Sequence, residues 1–205
     1  MSTWEWEENC WAAGYEVVCG ADEAGAGPLA GPVYAGAVIL PRRIILEGLN
    51  DSKQVTPRRR EILFEEITSR ATAWAVASVD AAEIDRTDIL SARMKAMQLA
   101  VDALPTSPDF VLVDGNRDRG RTAAIRSPHH CIVKGDSLSF SIAAASILAK
   151  VSRDRFMEEM AVQYPEYRFE KHKGYPTALH YALLDQYGPS PIHRRSFLKK
   201  WEARR

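Results

Sequence analysis

Four acidic residues stand where apolar segments give way to glycine-containing chain: Asp22 and Glu23 ahead of Gly25, Asp114 ahead of Gly115, and Asp136 just after Gly135. If those apolar segments are neighbouring strands, three or four carboxylates converge in a small volume. Coulomb repulsion then forces some of them to take up protons unless cations sit between them. Mg2+ or Mn2+ is the natural cation, because hard carboxylate oxygens and residual waters suit both ions. Two such ions about 4 Å apart can activate a water on one side of a phosphodiester and stabilise the departing oxygen on the other. Each acidic residue also has a structural explanation. Asp114 can open a turn with Gly115, and Asp136 can cap a following helix through its side-chain oxygen. Glu23 joins Asp22 only if the chain turns there, since adjacent residues on a regular strand point to opposite faces. His129, His130, His172, His180 and His193 lack metal-ligand spacing and read as surface or phosphate-contacting groups.

The elements that must position these groups follow from apolar periodicity. Residues 15–21, 33–40 and 73–79 read as strands, and Thr56 followed by Pro57 starts an amphipathic helix carried by Leu63 and Ile67. From Thr87 onward Leu90, Met94, Met97, Val101 and Leu104 recur at helical steps until Pro105 stops the pattern. Short β runs at 110–113 and 131–133 each lead to an aspartate, Asp114 and Asp136. The helix at 142–160 is apolar on nearly every side in its Ala- and Ser-rich first half, which implies burial and close approach to a sheet. A last helix at 177–187 ends at Gly188 and Pro189. Strands first, then alternating helix and strand, predict an α/β mixed sheet with helices against it and a C-terminal helical segment across one end. Ligand sites in such sheets lie beyond the carboxyl ends of strands.

Composition bounds the function. The chain has 205 residues, 46% hydrophobic and 26% charged, with no run of about 18 apolar residues that would span a membrane. Its start is acidic and aromatic where a secretory signal is basic and then apolar, so a cytoplasmic location is expected. Three cysteines, Cys10, Cys19 and Cys131, are too few and scattered for a disulfide framework. Net charge is zero, 27 basic against 27 acidic residues, yet residues 168–205 carry a clear positive excess that suits either a solvated helical surface or phosphate contacts.

The stretch GADEAGAGPLAGPV at 20–33 resembles the N-terminal signature of ribonuclease HII. The resemblance continues in family order through Asp51-Ser52-Lys53, Val113-Asp114-Gly115-Asn116, Lys134-Gly135-Asp136, the helix block at 141–151, Gly174-Tyr175-Pro176-Thr177 and His193-Arg194-Arg195-Ser196-Phe197. It implies a ribonuclease H-like fold: a five-stranded mixed sheet flanked by helices, with residues 1–160 as catalytic core and 161–205 as a helical extension that grips substrate. It implies that Asp22, Glu23, Asp114 and Asp136 bind Mg2+ or Mn2+. The implied substrates are RNA/DNA hybrids and duplex DNA holding single ribonucleotides, cut on the 5′ side of the ribonucleotide to leave a 3′-hydroxyl and a 5′-phosphate, in the service of ribonucleotide removal. Implied substrate contacts are Gly25, Ala26, Gly27, Ser52, Lys53, Lys173, Tyr175 and Arg194. Glycines let backbone groups approach a sugar closely, and the 2′-hydroxyl distinguishes RNA from DNA. Tyr175 suits either stacking on the substrate or a turn packed on the core.

In one place the chain departs from the family pattern. The family's Gly-Arg-Gly segment is Gly25-Ala26-Gly27 here, so a guanidinium able to hold a phosphate or brace the loop is missing. A non-catalytic nucleic-acid-binding module is the rival reading, and the acidic cluster opposes it, because carboxylates repel phosphate unless metal reverses the sign. About 15 residues precede the first strand, too few for the separate N-terminal substrate-binding domain of a sister enzyme type, and a monomer is expected.

Overall fold

In the computed structural model of the chain, which describes residues 2–49 and 55–204, five strands form one sheet in the order β3-β2-β1-β4-β5. They are β1 (Val18–Ala24), β2 (Val33–Ile39), β3 (Ala73–Val79), β4 (Phe110–Asp114) and β5 (His129–Ile132). β1, β2 and β3 pair antiparallel, whereas β4 joins β1, and β5 joins β4, in parallel. Two strand boundaries depart from the sequence reading. β1 opens at Val18 because the Asp109 carboxylate takes the N–H groups of Glu16 and Val17, at 3.0 and 2.9 Å, out of the ladder. It then runs on to Ala24, since β2 keeps pairing with it at Asp22↔Gly36 and Glu23↔Ala35. β5 starts earlier than expected and stops at Ile132, ahead of Lys134, whose φ of 58° is incompatible with a strand.

Helices cover both faces. They are α1 (Glu5–Ala12), α2 (Pro57–Arg70), α3 (Ala81–Arg86), α4 (Ile89–Asp102), α5 (Phe140–Gln163), α6 (Phe169–His172), α7 (Ala178–Tyr187) and α8 (Arg195–Glu202). On one face Ala21, Ala37 and Val113 pack with Met94, Met97 and Val101 of α4. On the other, Val38 packs with Leu63 and Ile67 of α2 and with Ala144 and Leu148 of α5. α5 lies unusually close to the sheet because β1 and β2 present glycine to it. A Cβ on Gly20 would fall 2.1 Å from the Ser141 carbonyl carbon, and one on Gly36 would fall 2.5 Å from the Ala145 oxygen. The Ala- and Ser-rich sequence of α5 is the matching half of that contact.

Helix α1 is not foreshadowed by periodicity, and its Glu7 explains why it docks. This carboxylate is fully buried and accepts from the Ser139 hydroxyl at 2.6 Å and the Ser141 N–H at 2.8 Å, a negative group at the N-terminus of α5. Thr3 adds backbone bonds to Leu138 and Phe140. The N-terminal segment thus pins the chain between β5 and α5, where Asp136 sits.

The C-terminal elements pack around three histidines, which corrects their reading as surface groups. His172, His180 and His193 are buried, the first two stacked with ring centroids 4.2 Å apart. His180 Nδ1 lies 2.9 Å from the Tyr175 carbonyl and can only donate to it. Its Nε2 must then accept from His193 Nε2, 2.9 Å away, and His193 Nδ1 in turn accepts the Ser190 N–H. The chain of bonds is satisfied only by neutral rings. Burial is the main cause of the depressed pKa values, about 4 for His180 and about 3 for His193, with the charge of the neighbouring histidine second for His193. Between those values and the unfolded value of about 6.5 the unfolded chain binds more protons, so stability is lost as pH falls through that window. The melting temperature should therefore decline from pH 6.5 to 5 while the His180 and His193 ring protons fail to titrate in an NMR experiment. Ordinary titration near pH 6.5 would contradict this arrangement.

Candidate metal centre

β1 and β4 are parallel neighbours whose register sets Ala21 against Val113, so Asp22 and Asp114 leave the ladder side by side. Residue parity puts both on the α5 face, with Gly20 and Leu112, which contact α5, two positions before them. Glu23 belongs to the opposite face, toward α4. It nevertheless joins the cluster without any turn in β1. One carboxylate oxygen from each of Asp22, Glu23 and Asp114 lies within 4.8 Å of the other two. The register pairs of β1 with β4 stop at Ala21↔Val113, whereas β1 stays paired with β2 as far as Ala24. Asp22 Oδ1 swings along the strand to accept the Glu23 N–H at 2.7 Å.

Asp136 comes from a 3-10 turn, Gly135–Ser137, and is buried. Asp114 Oδ1 accepts the Gly135 N–H at 2.7 Å and the Asp136 N–H at 3.4 Å, which ties this turn to the end of β4. The alternative role of Asp136 as a helix cap is not realised, because Ser139 caps α5 through a 3.2 Å bond from the Ile142 N–H. Asp136 lies outside the 4.8 Å group, yet its charge is felt by Asp22. Burial first, then the charges of Glu23, Asp114 and Asp136, hold the Asp22 carboxyl well above the usual carboxylate range. Glu23 Oε2 is buried with no hydrogen-bond partner among the described residues. An all-oxygen donor set, mutual repulsion and an orphaned carboxylate oxygen together fit a hard divalent cation held by Asp22, Glu23 and Asp114 with Asp136 beside them.

Directly after β1 comes the loop 25–32, held from below by two buried arginines that form no ion pair with a carboxylate among the described residues. Arg153 of α5 donates to the carbonyls of Pro32, Ala30 and Lys173, and Arg194 donates to those of Gly31, Ala26 and Gly25. Gly25, at φ 94°, has no room for a side chain: a Cβ would fall 2.0 Å from Arg153 Nε. Burial, and next the charge of Arg153, lowers the Arg194 pKa to about 9, which leaves it charged at neutral pH. Arg194, expected among the substrate contacts, has its guanidinium bonded to the loop backbone in this structure. Its side chain is fully buried and its donors face the loop backbone, so it positions the loop from beneath.

The other expected substrate contacts are distributed around the same edge. Gly27 is exposed and Ala26 half-buried at the loop tip. Tyr175 is 38% exposed, with the Arg153 guanidinium 5.7 Å from its ring centroid. Lys173 is ion-paired to Glu158 at 2.8 Å, a contact it must leave to reach a phosphate. Ser52 and Lys53 lie outside the described residues. Sequence reasoning passed over Arg93 of α4, which is 2.6 Å from Glu23, and Arg153. The available signal was the same for both: a lone arginine beside the apolar stripe of a buried helix, next to Met94 in one case and four residues before Met157 in the other.

A family model described as Ribonuclease HII matches residues 19–200. A ribonuclease HII of Caldicellulosiruptor saccharolyticus is 53% identical over 195 residues, 95% of this chain and 93% of the relative. One of Idiomarina loihiensis is 53% identical over 181 residues, 88% of this chain and 95% of the relative. The crystal structure of the ribonuclease H2 from Pyrococcus horikoshii OT3 superposes with a TM-score of 0.75 at 29% identity, covering 92% of this chain and 98% of that one. A five-stranded mixed sheet with carboxylates at the ends of its central parallel strands defines a ribonuclease H-like nuclease. The chain belongs to the ribonuclease HII family. It is an endoribonuclease, a hydrolase of a divalent-metal-dependent family that acts on RNA/DNA substrates. Among the described residues no helix is long and apolar enough to cross a membrane.

Proposed function

We propose that this chain hydrolyses the RNA strand of RNA/DNA hybrids and nicks duplex DNA on the 5′ side of a single embedded ribonucleotide, leaving a 3′-hydroxyl and a 5′-phosphate. The observation that carries this reading is the meeting of Asp22, Glu23 and Asp114 oxygens within 4.8 Å beside a loop rich in glycine. When bound there, a pair of Mg2+ or Mn2+ ions supplies charge to activate water and to stabilise the departing oxygen. Asp22, Glu23, Asp114 and Asp136 hold that charge in place. Gly25, Ala26 and Gly27 offer the backbone to the 2′-hydroxyl, a donor and acceptor that deoxyribose lacks. Tyr175, Lys173, Ser52 and Lys53 complete the substrate contacts, and Arg194 keeps the loop shaped for them. Residues 1–160 act as the catalytic core and 161–205 as the gripping extension. The protein works as a monomer in the cytoplasm, in ribonucleotide removal from DNA.

The test is cleavage of duplex DNA carrying one ribonucleotide, with Mg2+ and Mn2+ compared. A nick 5′ to the ribonucleotide is expected. Tight binding in EDTA with no cleavage on adding either metal would instead identify a binding module. In the same assay Ala26→Arg should raise kcat/KM roughly tenfold through KM, the effect of one contact of about 1.5 kcal/mol to a phosphate, while preference for the ribonucleotide is unchanged. Equal kcat/KM would remove any role for the missing guanidinium.

A further inference from the structure

Arg93 and Glu23 form an unusual pair. Arg93 rises from α4, on the opposite side of the sheet from α5, and its Nη2 lies 2.6 Å from Glu23 Oε1. The Glu23 side chain is 9% exposed and that of Arg93 25%, so water screens the contact only partly. The pairing is incomplete on both sides: Glu23 Oε2 and Arg93 Nε are buried and lack hydrogen-bond partners among the described residues. A bidentate Arg–carboxylate fork would have satisfied both atoms. The guanidinium also borders the end of β4, since a Cβ on Gly115 would lie 3.9 Å from Arg93 Nη2.

We propose that Arg93 is a built-in counter-cation of the metal centre, holding Glu23 against its neighbouring carboxylates before a divalent ion arrives and weakening the affinity for the ion that shares Glu23. The proposal rests on the reading of Asp22, Glu23 and Asp114 as metal ligands. Two effects of the guanidinium oppose each other. By fixing the Glu23 rotamer it prepares one ligand for the ion, an advantage confined to a single side chain. Its positive charge, however, cancels much of the Glu23 field and acts directly on a doubly charged ion close by, an interaction that scales with the product of the charges. Charge competition therefore outweighs preorganisation. A guanidinium keeps its charge at every working pH.

Calorimetric titration of Mn2+ into the parent protein, Arg93→Met, Arg93→Gln and Asp22→Asn tests this, together with melting in EDTA. Both neutral variants at position 93 should bind Mn2+ roughly tenfold more tightly than the parent and melt at a lower temperature in EDTA, because Glu23 is left among like charges. Arg93→Lys, which keeps the charge on a shorter reach, should fall between. If Arg93→Met and Arg93→Gln bind Mn2+ no more tightly than the parent while Asp22→Asn loses binding, the counter-cation role is overturned and the metal centre stands. If Asp22→Asn binds Mn2+ like the parent, the metal-centre reading fails, and this proposal with it.

Discussion

Asp22→Asn should reduce cleavage of a ribonucleotide-containing duplex by at least about 10³-fold, ~4 kcal/mol in the activation barrier, and should raise the melting temperature of the metal-free protein. The two effects have one cause. Asp22 is buried against three carboxylates, and its raised pKa shows that the native state holds this negative charge at a disadvantage. Asparagine has the same shape and keeps an oxygen to accept the Glu23 N–H, so the local backbone is undisturbed. What it removes is one charge from the cluster. Without metal this relieves repulsion, and a gain of ~1 kcal/mol would appear as roughly 2–4 °C for a chain of this size. With saturating Mn2+ the order should reverse, because the parent recovers stability from the bound ion and the variant does so less. Melting curves in EDTA and in Mn2+, run beside the cleavage assay, decide it. An active variant, or one that melts lower than the parent in EDTA, would mean that these carboxylates are not a cation site held under strain.

The second large effect belongs to Arg194, a residue buried beneath the glycine loop. Arg194→Met keeps the apolar stem and deletes a guanidinium that serves the carbonyls of Gly25, Ala26 and Gly31 at 2.6 to 3.0 Å. Each carbonyl left unpaired in a buried setting costs about 1–3 kcal/mol. With partial relaxation the sum is roughly 3–5 kcal/mol, or a melting temperature lower by roughly 10 °C. The loop that presents Gly25 and Gly27 should then lose its fixed shape. Cleavage at a single ribonucleotide should fall by about 10²-fold in kcat/KM, the scale expected when reacting groups are misplaced by about an ångström. Arg194→Lys should rescue neither property, since one ammonium cannot span three carbonyls arranged around a planar fork. If the folded fraction of Arg194→Met, measured well below its melting temperature, cleaves like the parent, Arg194 supports the fold alone and does not shape the loop.

Much of this protein is written locally in its sequence. Leu90, Met94, Met97 and Val101 announce α4 because an α-helix returns every third or fourth residue to one face whatever lies opposite. Asp22 and Asp114 announce a site because each closes an apolar run at a glycine, a pattern set by neighbours in the chain. Tertiary structure decided the rest. Strand alternation places Glu23 on the face opposite Asp22 and so makes a turn the condition for their meeting, yet the side chain joins Asp22 and Asp114 with β1 still paired to β2. Glu7 reaches the start of α5 from 132 residues away in the chain. Arg93 and Arg153 give no local sign of their partners, and Arg194 signals only a family motif, until their long side chains are seen to end on Glu23 and on the backbone of the glycine loop. The division has a physical origin. Periodicity and turn chemistry are fixed by backbone geometry within a few residues, whereas the partner of a long polar side chain depends on which faces of distant segments are pressed together.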